Sequence, residues 1–146
     1  RSSDLAYIEM FQDTRSLSSE MIASSIETNA ANVRKIMSQL KKSGLIFTKT
    51  GKPQPSLAKS PDQISLLDVY RSIEGNTQLI QVDPKTNPNC VVGANIQEAL
   101  EESYARLQKK AEEEMAKITL DSLIHKIAVL EKEKRPENTG LVERFL

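Results

Sequence analysis

Ile96, Leu100, Ser103, Leu107, Ala111, Met115 and Ile118 recur at three- and four-residue steps. That spacing draws one stripe along a helix of roughly 35 Å, at about 1.5 Å rise per residue. In a chain of 146 residues such a helix outruns a small domain. Its stripe is therefore expected to close on a second copy about a two-fold axis, through Ile96, Leu100, Leu107, Ala111 and Met115. Composition agrees: 38% of residues are hydrophobic but only 4% aromatic, with no Trp, which suits modest cores completed by a shared interface.

Upstream, the punctuation predicts short helices and a hairpin. Leu5, Ile8 and Phe11 mark a first helix. Ser18 offers a side-chain oxygen to the free N–H groups of a second helix, which Glu20 favours electrostatically and Met21, Ile22 and Ile26 make amphipathic. A break at residues 27–29 precedes a third helix capped by Asn29, with Val33, Ile36, Met37 and Leu40 on its inner face and Gly44 as its stop. Leu45–Thr48 and Ser56–Ala58 then read as two strands around a turn rich in Gly and Pro. Ser65 and Asp68 form a variant capping box that opens a fourth helix, which Gly75 ends. After a loop containing Pro84, Pro88 and Gly93 comes the long helix, and Thr119 with Asp121 restarts a last one. The segment 131–146, charged and interrupted by Pro136 and Gly140, is expected to fray.

The expected fold is mainly α with a small β-hairpin: a winged helix-turn-helix on a long dimerisation helix. Residues 1–75 form the DNA-binding domain, 76–93 a sensor loop, 94–130 the dimerisation helices and 131–146 a polar tail.

Net charge is zero, yet residues 28–60 hold Arg34, Lys35, Lys41, Lys42, Lys49, Lys52 and Lys59 and no acidic residue. Such a field attracts polyanions. With the apolar stripe of the third helix buried, Asn29, Ala30, Asn32, Arg34, Lys35, Ser38 and Gln39 are left toward solvent. Arg can span guanine O6 and N7, Asn and Gln can span adenine N6 and N7, and an Ala methyl meets the thymine methyl. Lys41, Lys42, Lys49, Lys52 and Lys59 suit phosphates, which position without reading sequence. The alternative is a winged-helix protein–protein interaction module, from which retention on DNA at moderate salt distinguishes a DNA reader.

The runs SSEMIASSIETNAANVRKIMSQLKKSGLI, SPDQISLLDVYRSIEG and NPNCVVGANIQEALEE resemble the winged-helix bacterial regulators grouped with IscR, NsrR and CymR, over about residues 4–127. The resemblance implies a homodimer that represses or activates genes from a near-palindromic operator. It also implies two departures. Cluster-binding members carry three cysteines in the loop before the long helix, where this chain has only Cys90, and their glycine-rich wing is replaced by TGKPQPSLAKS.

An iron–sulfur cluster is thus disfavoured, because cluster irons need about four protein ligands, mostly thiolates. Asp83 and His125 do not make good the deficit, and no cofactor is expected. Cys90, beside a helix N-terminus, has two readings: a thiol sensor of oxidants or electrophiles, or a small buried hydrophobe beside Val91 and Val92. The sequence has no P-loop, GxSxG, HExxH or GxGxxG, so an enzyme is not expected. No run of 18 apolar residues occurs, and Asp4, Glu9 and Asp13 interrupt any signal-peptide core, so the expected setting is cytoplasmic and away from membranes.

Overall fold

The computed structural model describes residues 1–13, 17–48, 54–75 and 78–146. They form α1 (Ser2–Phe11), α2 (Ser19–Ser25), α3 (Ala30–Lys42), β1 (Ile46–Thr48), β2 (Pro55–Leu57), α4 (Leu66–Arg71), α5 (Val91–Met115), α6 (Leu120–Lys134) and α7 (Thr139–Val142). Single 3₁₀ turns cover Pro61–Gln63, Pro136–Asn138 and Glu143–Phe145. The strands pair antiparallel, Ile46 opposite Leu57 and Thr48 opposite Pro55. This is the expected winged helix-turn-helix order with a long helix after it. Pro55, read in the sequence as part of the turn, stands in β2.

Local chemistry sets most boundaries. Ser18 Oγ accepts from the Met21 N–H at 3.2 Å, and Asn29 Oδ1 from the Asn32 N–H at 2.8 Å, so each helix start satisfies a donor that has no intrahelical partner. Glu27, at φ +51°, makes the tight turn between α2 and α3. Gly44 takes φ +73° after α3, and the Leu45 N–H returns to the Leu40 carbonyl at 3.0 Å while the Gly44 N–H reaches Lys41 at 3.1 Å. That is the paired closure of a Schellman end, which only Gly adopts without strain. At α4 the box is complete: Ser65 Oγ accepts from the Asp68 N–H and Asp68 Oδ2 accepts from the Ser65 N–H.

One core joins these pieces. Leu5 and Ile8 of α1, Ile22 of α2, Val33 and Leu40 of α3, Leu45, Ile64, and Leu120, Ile124 and Ala128 of α6 are buried together. The Leu66 N–H donates to the Ile118 carbonyl at 2.8 Å and the Leu120 N–H to Ile64 at 2.7 Å, which ties the start of α6 to the winged-helix body.

The Leu120–Ile124–Ala128 face of α6 packs on its own chain's core, and its neighbours include α1. One expectation is corrected here: 131–146 does not fray. Residues 131–134 continue α6, and the chain then folds back so that Val142 enters the core. Arg144 donates to the Met10 carbonyl at 3.0 Å and the Glu9 carbonyl at 3.4 Å, at the end of α1, and pairs with Asp13 at 3.2 Å. A cation on the last carbonyls of a helix is favoured by its macrodipole.

The 25 residues of α5 span about 37 Å at about 1.5 Å each. Gln108 is the one residue of α5 that is buried. Ile96, Leu100, Ala111 and Met115 are half-buried and Leu107 is 51% exposed.

Candidate nucleic-acid interface

α3 is held from behind by Val33 and Leu40, with Ile36 and Met37 packed at the core's edge. Its outward face carries Arg34, Lys35, Ser38, Lys41 and Lys42, all exposed. A groove of about 300 Å³ runs between this face and the hairpin, lined by Ser19, Arg34, Ser38, Lys41 and Thr48 among others. Lys59 is exposed just beyond β2, while Lys49 and Lys52 lie outside the described residues.

Two of the cations have carboxylate neighbours. Arg34 lies 3.6 Å from Glu20 and Lys42 3.4 Å from Glu74, with both pairs well exposed. Exposed pairs of this kind contribute little, so either cation can exchange its carboxylate for a phosphate at small cost. Gln39 and then Lys42 hold the Glu74 carboxyl below the usual range.

Other candidates separate by what their side chains already do. Asn29 is exposed but its carbonyl caps α3, and the Asn32 amide donates to Thr28 Oγ1 at 3.3 Å, so both must reorganise to meet a base edge. Ala30 is half-buried. Gln39, expected toward solvent, is only 6% exposed and turns toward Glu74, away from the Arg34–Ser38–Lys41 row. Its place one step off the apolar stripe brings it under the segment after α4, a contact that periodicity within α3 does not reveal. Ser19 and Thr48 were not singled out in the sequence, because they join the groove only when α2 and β1 fold beside α3.

Cys90 is the N-cap residue of α5 and is exposed, with Val91 84% exposed beside it, which removes the buried-hydrophobe reading within one chain. The thiol makes no capping hydrogen bond, yet the backbone N–H groups of Gly93, foremost, and Val92 favour the thiolate and hold its pKa below the ordinary value. The turn that carries it is tight: the Cys90 N–H donates to the Asn87 carbonyl at 3.2 Å, and a Cβ at Gly93 would overlap that same carbonyl.

The profile of a family described as "Rrf2: Iron-dependent Transcriptional regulator" matches residues 4–126. The chain belongs to the Rrf2 family of transcriptional regulators. YwnA of Bacillus subtilis (strain 168), named as an HTH-type transcriptional regulator, is 40% identical over 121 residues, 83% of this chain and 89% of YwnA. A solved structure described as a DNA binding protein is 35% identical, covers 84% of this chain and 95% of its own, and superposes with a TM-score of 0.65. CymR of B. subtilis, described as its global cysteine regulator, shares the fold at 22% identity, 84% and 85% coverage and a TM-score of 0.56. T. potens IscR does so at 19%, 86% and 82%, and 0.58.

This Rrf2 chain is therefore a DNA-binding transcription regulator, of a family that is not enzymatic. The iron that the family description implies finds no fitting donor set. Cys90 is the single cysteine of the sequence, and no three His, Cys, Asp or Glu side chains gather among the described residues. His125 Nδ1 donates to the Phe145 carbonyl at 3.0 Å, and Asp83 Oδ1 accepts from the Lys85 N–H at 3.1 Å. One thiolate does not hold a cluster. Among the described residues no helix is long and apolar enough to cross a membrane.

Proposed function

We propose that this regulator is a cytoplasmic repressor that binds a near-palindromic operator as a homodimer. Residues 1–75, with α6 and the C-terminal segment packed on them, form the DNA-binding unit; residues 76–93 are the sensor loop and α5 supplies the dimer contact. Arg34, Lys35 and Ser38 read base edges in the major groove, with Ala30, Asn29 and Asn32 at the helix entrance. Of Lys41, Lys42, Lys59, Lys49 and Lys52, about four, Lys41 among them, meet phosphates. The observation that carries this is the outward face of α3, where exposed Arg34, Ser38 and Lys41 share one groove with the hairpin. A recognition helix backed by its own core and flanked by a wing is the docking geometry of this motif.

Ile96, Leu100, Leu107, Ala111 and Met115 meet their copies across the two-fold axis, since a helix with half-exposed apolar residues along its length gains by burying them. Cys90 acts as a thiol switch. Its thiolate adds to a ring carbon of a quinone-like electrophile: the C–S bond forms as the ring C=C π bond breaks, the electron pair passes to the conjugated quinone oxygen, and that oxygen takes up a solvent proton. The added bulk at the root of α5 changes how the two recognition helices are spaced.

The test compares two substitutions on a duplex that the wild type selects from a random pool. Arg34→Ala is expected to relax preference at one position of each half-site, by about 1 to 3 kcal/mol if its contact is bidentate. Lys41→Ala is expected to weaken all duplexes alike. Unchanged specificity in Arg34→Ala contradicts the assignment.

A further inference from the structure

Within α5 the joint to the winged-helix unit centres on one buried side chain, while Ile118, just past the helix, is tied to Leu66 through the backbone. Gln108, 9% exposed, is the buried residue of α5, and a buried amide is tolerated only when its donors and acceptor are satisfied. Its Oε1 accepts from the Leu79 N–H at 3.0 Å, and its Nε2 donates to Tyr70 Oη at 2.9 Å and to Glu112 Oε2 at 3.3 Å. These partners come from three pieces of the chain: the loop before α5, α4 of the DNA-binding unit, and α5 itself.

We infer that Gln108 is a positioning residue that fixes the angle of α5 against the DNA-binding unit and so sets the half-site spacing this regulator accepts. The inference rests on the proposed dimeric operator binding. A planar amide whose two N–H donors and carbonyl oxygen are all engaged sets direction as well as distance, whereas apolar contact sets distance alone. A cleft of about 540 Å³ lies beside Gln108, between Leu67 and Arg71 of α4 and Lys109 and Glu113 of α5, so side-chain packing between the two helices is incomplete there.

The lever makes small rotations matter. Half-sites lie about 34 Å apart, so each recognition helix stands about 17 Å from the dyad. A shift of about 1.7 Å of each recognition helix away from the dyad changes their separation by about 3.4 Å, the rise of one base pair.

The experiment takes duplexes that the wild type selects from a random pool and resynthesises them with the centre one base pair longer or shorter. Wild type is expected to prefer its own spacing at least tenfold. Gln108→Leu, and more mildly Tyr70→Phe, which keeps the ring and removes the hydroxyl, are expected to bring that preference below about threefold, with helicity and dimer mass unchanged. A second readout needs no DNA: the Leu79 amide is expected to exchange at least tenfold faster in both Gln108→Leu and Gln108→Ala than in wild type. Wild type that selects no palindromic duplex overturns the operator reading instead. A selective wild type with equally selective Gln108→Leu and Tyr70→Phe, or a Leu79 amide indifferent to Gln108, overturns the positioning role.

Discussion

Replacing Val142 by Ala isolates what the folded-back C-terminal segment contributes. Val142 is 4% exposed in the common core, two residues before the Arg144 guanidinium that sits on the end of α1. The substitution removes two buried methyl groups, each worth about 0.8 kcal/mol of transfer free energy. Incomplete collapse of the gap raises the total to about 2 kcal/mol. For a chain of this size that is a fall in Tm of about 4 to 8 °C. Leu141 is the internal control, since it is 56% exposed and its truncation to Ala is expected to change stability by less than about 0.5 kcal/mol. Urea denaturation followed by circular dichroism, at one protomer concentration for all variants, reads both. If Val142→Ala and Leu141→Ala are equally mild, the segment does not dock and the reasoning from burial fails.

Leu107→Glu puts a charge on the half-buried stripe of α5 and is expected to yield monomers by light scattering and to lose operator binding with them; a dimer of unchanged mass contradicts the interface. Cys90 is expected to be alkylated half-maximally at a lower pH than a free cysteine peptide, because the Gly93 and Val92 N–H groups favour its thiolate. Stoichiometric quinone is then expected to lower operator affinity in wild type but not in Cys90→Ser, and equal loss in both sinks the switch. Glu131 is held at a pKa of about 2 by the Arg135 guanidinium and the Asn138 amide. Its depressed folded pKa gives stability that is present above about pH 4.5 and lost as pH falls toward 2, so the gap between wild type and Glu131→Gln is expected to close over that range. A gap independent of pH contradicts the pairing.

Much of the fold is legible in the sequence where the governing physics is local. Ser18, Asn29, Ser65 with Asp68, and Thr119 each cap the helix that follows, and Gly44 closes α3, because these interactions span three to five residues. The cation-rich face of α3 follows from the same helical period that hides Val33 and Leu40. What the sequence left unread depends on distant partners. Gln39 has a polar side chain and a borderline position on its helix, and only the approach of Glu74 decides which way it turns. Pro136 and Gly140 signal irregular backbone, which is present, but not that Val142 and Arg144 find Leu5's core and the end of α1 more than a hundred residues away. Gln108 reads as one more polar residue on a charged helix until Tyr70 and Leu79 are brought to it.

DNA binding through α3 is tested most directly by operator affinity against salt concentration. About four cations per protomer on phosphates make about eight contacts per dimer, and at about −0.9 per contact log K falls with log salt at a slope of about −7. Lys41→Ala removes one contact from each protomer and is expected to bring the slope to about −5.5. A wild-type affinity indifferent to salt between low and physiological concentration, or a Lys41→Ala slope equal to the wild type's, contradicts binding through this face.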